Sequence, residues 1–502
     1  MKIKVLILLL LIAVIYSFAQ AQKTDTILRF GLMAQDIATV YPWDILDSVT
    51  GETMNNVYEG LTQFSENSTS IESALAERWD YAGDFKTWTF YLRRNVKFHN
   101  GEIFNADAVM ETFKFVKNFE GKVVKENEFT IKMIMNEPNA ALPITLSMDI
   151  YAIVAKATVD SYKKKLNPPE VYGTGPFKFL SWQKGKSIVL ERNDDYWGNK
   201  AKLDKVIFIP FKTNDALISA LLENRIDLTD GIMPNNIPAV RKNPKLYFKA
   251  ETGLNFAYFS INTQRKPFTD KKVRQAIAYA LNRKIIINKY FMAGQAGISA
   301  KSCLPPQMFG YYKDLPEYEY NPTKAKQLLK EAGYPGGFES TLIPTGAVRP
   351  YMPDPMGVAT EIANQLGQVG IKIKIMPSPS WSKYLETTTT LRDFDLAIMG
   401  WLADTGDPND YLTSILSTRS IGVQNATGWS NKEFDNLLIQ ARAQAADKRL
   451  ELYKQAQLLI YEETPLIPLF NAFQLAAWNE RVKGFKLHPA GGRLFLRNVE
   501  LK

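Results

Sequence analysis

Histidine and cysteine are almost missing from this chain: two histidines, His99 and His488, and one cysteine, Cys303, among 502 residues. A single cysteine excludes an intrachain disulfide. Three such residues in total exclude zinc fingers and iron–sulfur clusters, which draw several ligands from these two types. A histidine-dependent triad could use only His99 or His488, and His99 sits in Lys97-Phe98-His99-Asn100-Gly101, a strand-to-turn junction where a structural role is expected. Nucleotide signatures are wanting too. Gly185-Lys186-Ser187 matches the tail of a phosphate loop, but Leu180 stands where that motif needs its first glycine. No G-x-G-x-x-G follows a strand pattern, and neither G-x-S-x-G nor H-E-x-x-H occurs. These absences discourage most enzyme classes. No catalytic residue, metal ligand or cofactor is assigned from sequence.

What the chain has is ordinary globular composition, with 46% hydrophobic and 23% charged residues, and length for about three domains. Lys2 and Lys4 precede an apolar run from Val5 to Tyr16 and the small-residue site Ala19-Gln20-Ala21. That order reads as a secretory signal peptide, residues 1–21, cleaved after Ala21, with no cysteine nearby to carry a lipid anchor. The run is too short to span about 30 Å of hydrocarbon as a helix, so a soluble mature protein outside the cytoplasmic membrane is expected. The net charge of +9 falls to +7 without Lys2 and Lys4, and the basic residues are dispersed. A nucleic-acid binder would cluster them with aromatics on one face, so no nucleic-acid partner is expected.

Strand and helix patterns alternate. Thr26 to Leu32, Thr87 to Phe98, Lys205 to Phe211, Gly370 to Met376 and Phe394 to Gly400 read as strands, the last two as buried ones. Asn105 and Asp270 stand as helix N-caps, and Asn321-Pro322 as a cap followed by proline at the first helical position. The helix after Asp270 carries Val273, Ala276, Ile277, Ala280 and Leu281 on one face. Such alternation predicts α/β layering.

Two loops carry charge in suggestive places. Asp404-Thr405-Gly406-Asp407-Pro408-Asn409-Asp410 directly follows a strand pattern that ends near Trp401. Its spacing does not fit a calcium loop. A turn, a pair of glycosidase carboxylates, and a ligand-contacting loop at a strand's C-terminal end all remain open. Arg349 lies in Gly346-Ala347-Val348-Arg349-Pro350-Tyr351-Met352-Pro353, where proline and glycine imply a fixed, non-helical backbone. Its guanidinium fork is a natural bidentate partner for a carboxylate.

Several segments in order resemble one family: Leu75-Ala76-Glu77-Arg78-Trp79, Thr89-Phe90-Tyr91-Leu92-Arg93, Gly173-Thr174-Gly175-Pro176-Phe177, Asp195-Tyr196-Trp197-Gly198, Pro267 to Ala276, Arg349-Pro350-Tyr351, and Gly400-Trp401-Leu402-Ala403-Asp404 with Asp407-Pro408. Together the chain is similar to the extracellular solute-binding proteins (family 5) of ATP-binding-cassette peptide importers, and within them to dipeptide binders. The resemblance implies a two-lobed periplasmic binding protein fold of the three-domain peptide-binding variety (type II), hinged between its lobes. One lobe would comprise residues 23–52, 186–265 and 475–502, with residues 53–185 inserted as a domain, and the other residues 266–474. The strand crossing near Leu254 to Asn262 and the return near Ala472 would form the hinge. It further implies that Arg349 holds the carboxylate of a peptide and Asp404 its ammonium group, with Tyr351, Trp401 and Gly400 shaping the pocket. The disulfides of the relative are missing here, and the loop Asp47-Ser48-Val49-Thr50-Gly51 matches poorly. The expected protein is a monomeric periplasmic receptor that delivers dipeptides or short peptides to an inner-membrane permease. The rivals are an oligosaccharide or haem receptor of the same fold, with sugars stacking on Trp43, Trp381 or Trp401, and a secreted glycosidase using Asp404 and Asp407.

Overall fold

The computed structural model describes residues 25–45, 47–117, 119–349, 351–402 and 405–502. The predicted leader and Asp404 lie outside them. Among the described residues no helix is long and apolar enough to cross a membrane.

The strand Ile27–Met33 buries Leu28, Phe30 and Leu32 completely. It pairs in parallel with Lys205–Phe211, from Ile27 opposite Lys205 to Met33 opposite Phe211. The sheet continues antiparallel through Ser187–Arg192 to Phe177–Gln183. On its other side Leu228–Thr229 leads to Leu466–Asn479, a strand of 14 residues. This long strand serves two half-sheets. Its later part pairs with Leu228–Thr229 and Leu246–Thr252, its earlier part with Asn255–Ile261. From Asn255–Ile261 the second half runs through Leu396–Leu402 and Phe338–Ile343 to the edge strand Ile371–Ile375.

Asn255–Ile261 is buried at every position. Ala257, Phe259 and Ile261 enter one core, with Val273, Ala276 and Ile277 of the helix Lys271–Ala280. Phe256 and Tyr258 enter another, with Tyr411, Leu412 and Phe434. Helices thus cover both faces of this half, and a strand shielded on both sides has no polar alternation to show. A separate antiparallel sheet orders Ala76–Tyr81, Thr87–Leu92, Thr130–Met135 and Gly121–Asn127 around its own core of Phe90, Ile131 and Met133. The architecture is the expected two-lobed α/β fold.

Where the chain passes between the half-sheets, a buried amide takes the place of ladder bonds. Asn255 Nδ2 donates to the Ala472 carbonyl (2.8 Å), and its Oδ1 accepts from the Ala472 N–H (2.9 Å). Asn471 Nδ2 returns a bond to the Asn255 carbonyl at 2.7 Å.

Three caps fall where expected: Asn105, Asp270 and Asn321 each accept from backbone N–H groups of the first turn. Two strand readings need correction. The strand expected to reach Phe98 ends at Leu92, because Asn95 turns the backbone into the left-handed region at φ 61°. Ile371–Ile375 is not buried: as an edge strand it leaves Lys372 and Lys374 in solvent. Both histidines are clasps. The Gly173 N–H meets His99 Nδ1 at 3.3 Å and Nε2 lies 3.0 Å from the Gly175 carbonyl, which makes Nε2 the protonated nitrogen. His488 accepts from the Ala490 N–H at Nδ1 and donates from Nε2 to the Ser68 carbonyl at 3.0 Å.

Candidate functional site

Arg349 is placed by its own loop. Arg349 and Met352 exchange backbone hydrogen bonds of 3.1 and 2.8 Å, closing a tight turn beyond the strand Phe338–Ile343. Within this turn Tyr351 is buried and packs against Gly400, where a Cβ would fall 2.2 Å from the ring. Burial pushes the Tyr351 phenol up to about 12, against the opposing pull of Arg349. Trp381 opens the helix Trp381–Leu385 after its cap Ser380, and stacks on Tyr384 with centroids 5.1 Å apart. The Arg349 guanidinium lies over the Trp381 ring, 3.9 Å from its centroid, where the ring's negative face attracts it. Its Nε is buried and has no hydrogen-bond acceptor among the described residues.

Arg349 and Leu402 line a cavity of about 690 Å³ whose other walls come from distant segments, including Trp43, Asp47, Lys117, Met148, Asp149 and Arg493. Tyr351 and Gly400 support Arg349 from behind. Trp401, opposite Phe256 in the ladder, is half-buried and packs edge-on against Tyr411 at 6.1 Å.

Most charges on this wall are already partnered. Asp44 meets Lys117 at 3.2 Å. Asp47 caps the helix Ser48–Met54, accepting from the N–H and hydroxyl of Thr50, each at 2.8 Å. Asp149 pairs with Arg493; burial raises its pKa and the guanidinium opposes the rise. Beneath them Glu52 is 5% exposed. Burial, and then the charge of Asp230, holds its carboxyl well above the usual range. The chain approaches closely here: Gly492 has φ +77°, and a Cβ on it would lie 2.8 Å from Ser48 Cβ, which only glycine accommodates. What remains is a guanidinium braced on an indole with an unfilled donor. The chemistry of such a group suits a carboxylate.

The described walls offer no activated nucleophile. His99 is held near pKa 4 by burial, in its clasp outside this cavity. The Cys303 thiol is buried in the core, which pushes it up to about 12. Asp407, half of the glycosidase pair considered above, has its carboxylate taken by Arg449 at 2.6 and 2.5 Å while capping the helix Pro408–Leu416. It is not a free acid. Trp381, a candidate sugar platform in the sequence, lies under Arg349, 32 positions away, a placement with no local sign. Met148, Asp149 and Arg493 also join the cavity wall, their one trace in the sequence being the glycine pair Gly491-Gly492 before the arginine.

A model of the bacterial extracellular solute-binding proteins, family 5 (middle region), matches residues 70–422. The dipeptide-binding protein of Escherichia coli K12 is 32% identical over 481 residues, 89% of each chain. Heme-binding protein A of Haemophilus influenzae is also 32% identical, over 87% of this chain and 85% of its own. Among solved structures, the ABC transporter-associated periplasmic binding protein DppA of Helicobacter pylori, in complex with the peptide STSA, superposes with a TM-score of 0.79. It is 31% identical, with 95% of this chain and 98% of that one covered.

Proposed function

The chain belongs to the family 5 bacterial extracellular solute-binding proteins, receptors that work with ABC permeases, and from that premise we propose that it captures dipeptides or short peptides in the periplasm and hands them to a membrane permease. The observation that carries this is the Arg349 guanidinium, held on Trp381 with its buried Nε unfilled at the edge of the cavity. A peptide carboxylate supplies the missing acceptor, and Asp404, following Gly400 and Trp401 in the chain, takes the ammonium end. Opposed charges at fixed separation measure ligand length, because a peptide of the wrong length leaves a buried charge unpaired at a cost of several kcal/mol. A cavity of about 690 Å³ falls in the usual range of ligand sites, roughly 300–1,000 Å³.

The lobes in this reading are residues 23–52, 186–265 and 475–502 with the inserted domain 53–185, against residues 266–474, except that the strand Asn255–Ile261 pairs and packs with the second group and so goes with it. The strand Leu466–Asn479 and the Asn255 amide lie at their junction. Closure then follows when one ligand contacts both lobes, since only differential affinity shifts an open–closed equilibrium.

Thermal shift and calorimetry against dipeptides, tripeptides, free amino acids, oligosaccharides and haemin test this. Dipeptides or tripeptides stabilise the protein, and Arg349→Ala weakens their binding by at least about 30-fold, as expected when one partner of a buried charge pair is removed. Asp404→Ala does the same. Stabilisation by sugars or haemin with none by peptides would overturn the assignment, as would full peptide affinity in Arg349→Ala.

A further inference from the structure

On the proposed lobe division, residues 120, 138 and 140 fall in the inserted domain and residue 442 in the opposite lobe. Arg442 is the last residue of the helix Lys432–Arg442, where terminal carbonyls have no partner within the helix. Its carbonyl accepts the Ala140 N–H at 2.9 Å, across the boundary. In return its Nε donates to the Pro138 carbonyl at 3.1 Å. Its guanidinium also lies 3.6 Å from the Glu120 carboxylate, with the arginine side chain only 17% exposed. The same boundary is touched once more at Gly406, where a Cβ would lie 3.0 Å from Thr69 Cβ and 3.5 Å from Ile144 Cδ1. Beside these contacts both lobes line a space of about 550 Å³, which shares Met148 with the Arg349 cavity and contains neither Arg349 nor Trp381 in its wall.

We infer that Arg442 is a closure latch, a positioning residue that sets the open–closed equilibrium without touching ligand. It rests on the two-lobe reading above and not on the identity of the ligand. Three features support it. The two backbone partners are reciprocal, so the lobes meet in one register. Carbonyl and N–H groups left behind on opening are readily rehydrated, so the latch releases without trapping a buried polar group. The cation sits at the negative end of its helix, with an acidic side chain opposite. Because only the closed form makes these contacts, they multiply the closed population whether or not ligand is present. Apparent affinity scales with that population.

The test uses the full mature chain with spin labels on cysteines replacing the exposed residues Ile103 and Ile439; the native Cys303 is buried and does not compete. The wild-type background without ligand shows a short inter-label distance from the closed form. Arg442→Ala lowers the closed-to-open ratio by about tenfold, the size of one charge-assisted hydrogen bond, with an unchanged circular dichroism spectrum. Arg442→Lys, which keeps the charge and loses the planar Nε donor, falls between the two and covers the case in which Arg442→Ala folds poorly. Titration of the wild type with Ala-Phe reads the peptide assignment apart from the ligand-free distance distribution, so failure of that assignment is separable from failure of the latch. A wild-type distribution lacking the short distance, or one that Arg442→Ala and Arg442→Lys both leave unmoved, would overturn the inference.

Discussion

Gly400 does its work through an atom it lacks. The Tyr351 ring occupies the space a Cβ would need, and Tyr351 lies in the turn that carries Arg349. Gly400→Ala therefore forces a buried ring to move, and overpacking of this kind costs about 1–3 kcal/mol. The expected result is a lower urea midpoint together with weaker peptide binding, since the displaced turn moves the guanidinium. Full affinity at reduced stability would show that Tyr351 does not position Arg349. The turn that carries Arg349 was legible in the sequence, because proline and glycine around an arginine imply a fixed, non-helical backbone. Trp381 beneath it was not legible: only tertiary packing brings an indole 32 residues downstream under a cation.

Among elements, the helix Pro408–Leu416 and its entry loop depend on one buried ion pair. Arg449 and Asp407 are 8% and 5% exposed, and Tyr453 joins them by accepting from Arg449 at 2.7 Å. Arg449→Met strands the Asp407 carboxylate in the core, and breaking a buried pair from one side costs about 3–5 kcal/mol. Urea denaturation should show that loss, and Arg449→Met with Asp407→Asn should recover part of it; no recovery would mean that the cost lies in packing instead. The acidic loop shows how far local rules reach. Its turn-forming composition was readable, whereas the salt bridge that consumes Asp407 comes from residue 449 and leaves no local sign. Helix caps were readable for the opposite reason, since Asn105, Asp270 and Asn321 bond within their own first turns. Alternation misled once, running on past Leu92 through a turn that Asn95 bends.

For the molecule as a whole, the scarcity of histidine becomes a statement about pH. His99 joins its turn to the loop at Gly173 and Gly175, and His488 joins the C-terminal segment to Ser65 and Ser68. Burial lowers the pKa of both, that of His99 to about 4, whereas an unfolded histidine titrates near 6.5. Between those values the unfolded chain binds more protons, so the stability His99 contributes is complete above about pH 6.5 and is lost as pH falls toward 4, by about 3 kcal/mol. Unfolding midpoints at pH 7.5 and 4.5 should differ less in His99→Gln than in the wild type; an equal difference would remove His99 as the cause. The α/β alternation and the order of family segments were legible along the whole chain, while the cavity wall around Arg493 was not, because it joins residues more than 300 positions apart. The strand shared by the two half-sheets carries one more consequence. The two chain crossings run side by side, tied through Asn255 and Ala472, and two adjacent pivots define a line. If the halves are the two lobes proposed above, their relative motion would be a rotation about that line, and a docking permease would read occupancy from a single angle.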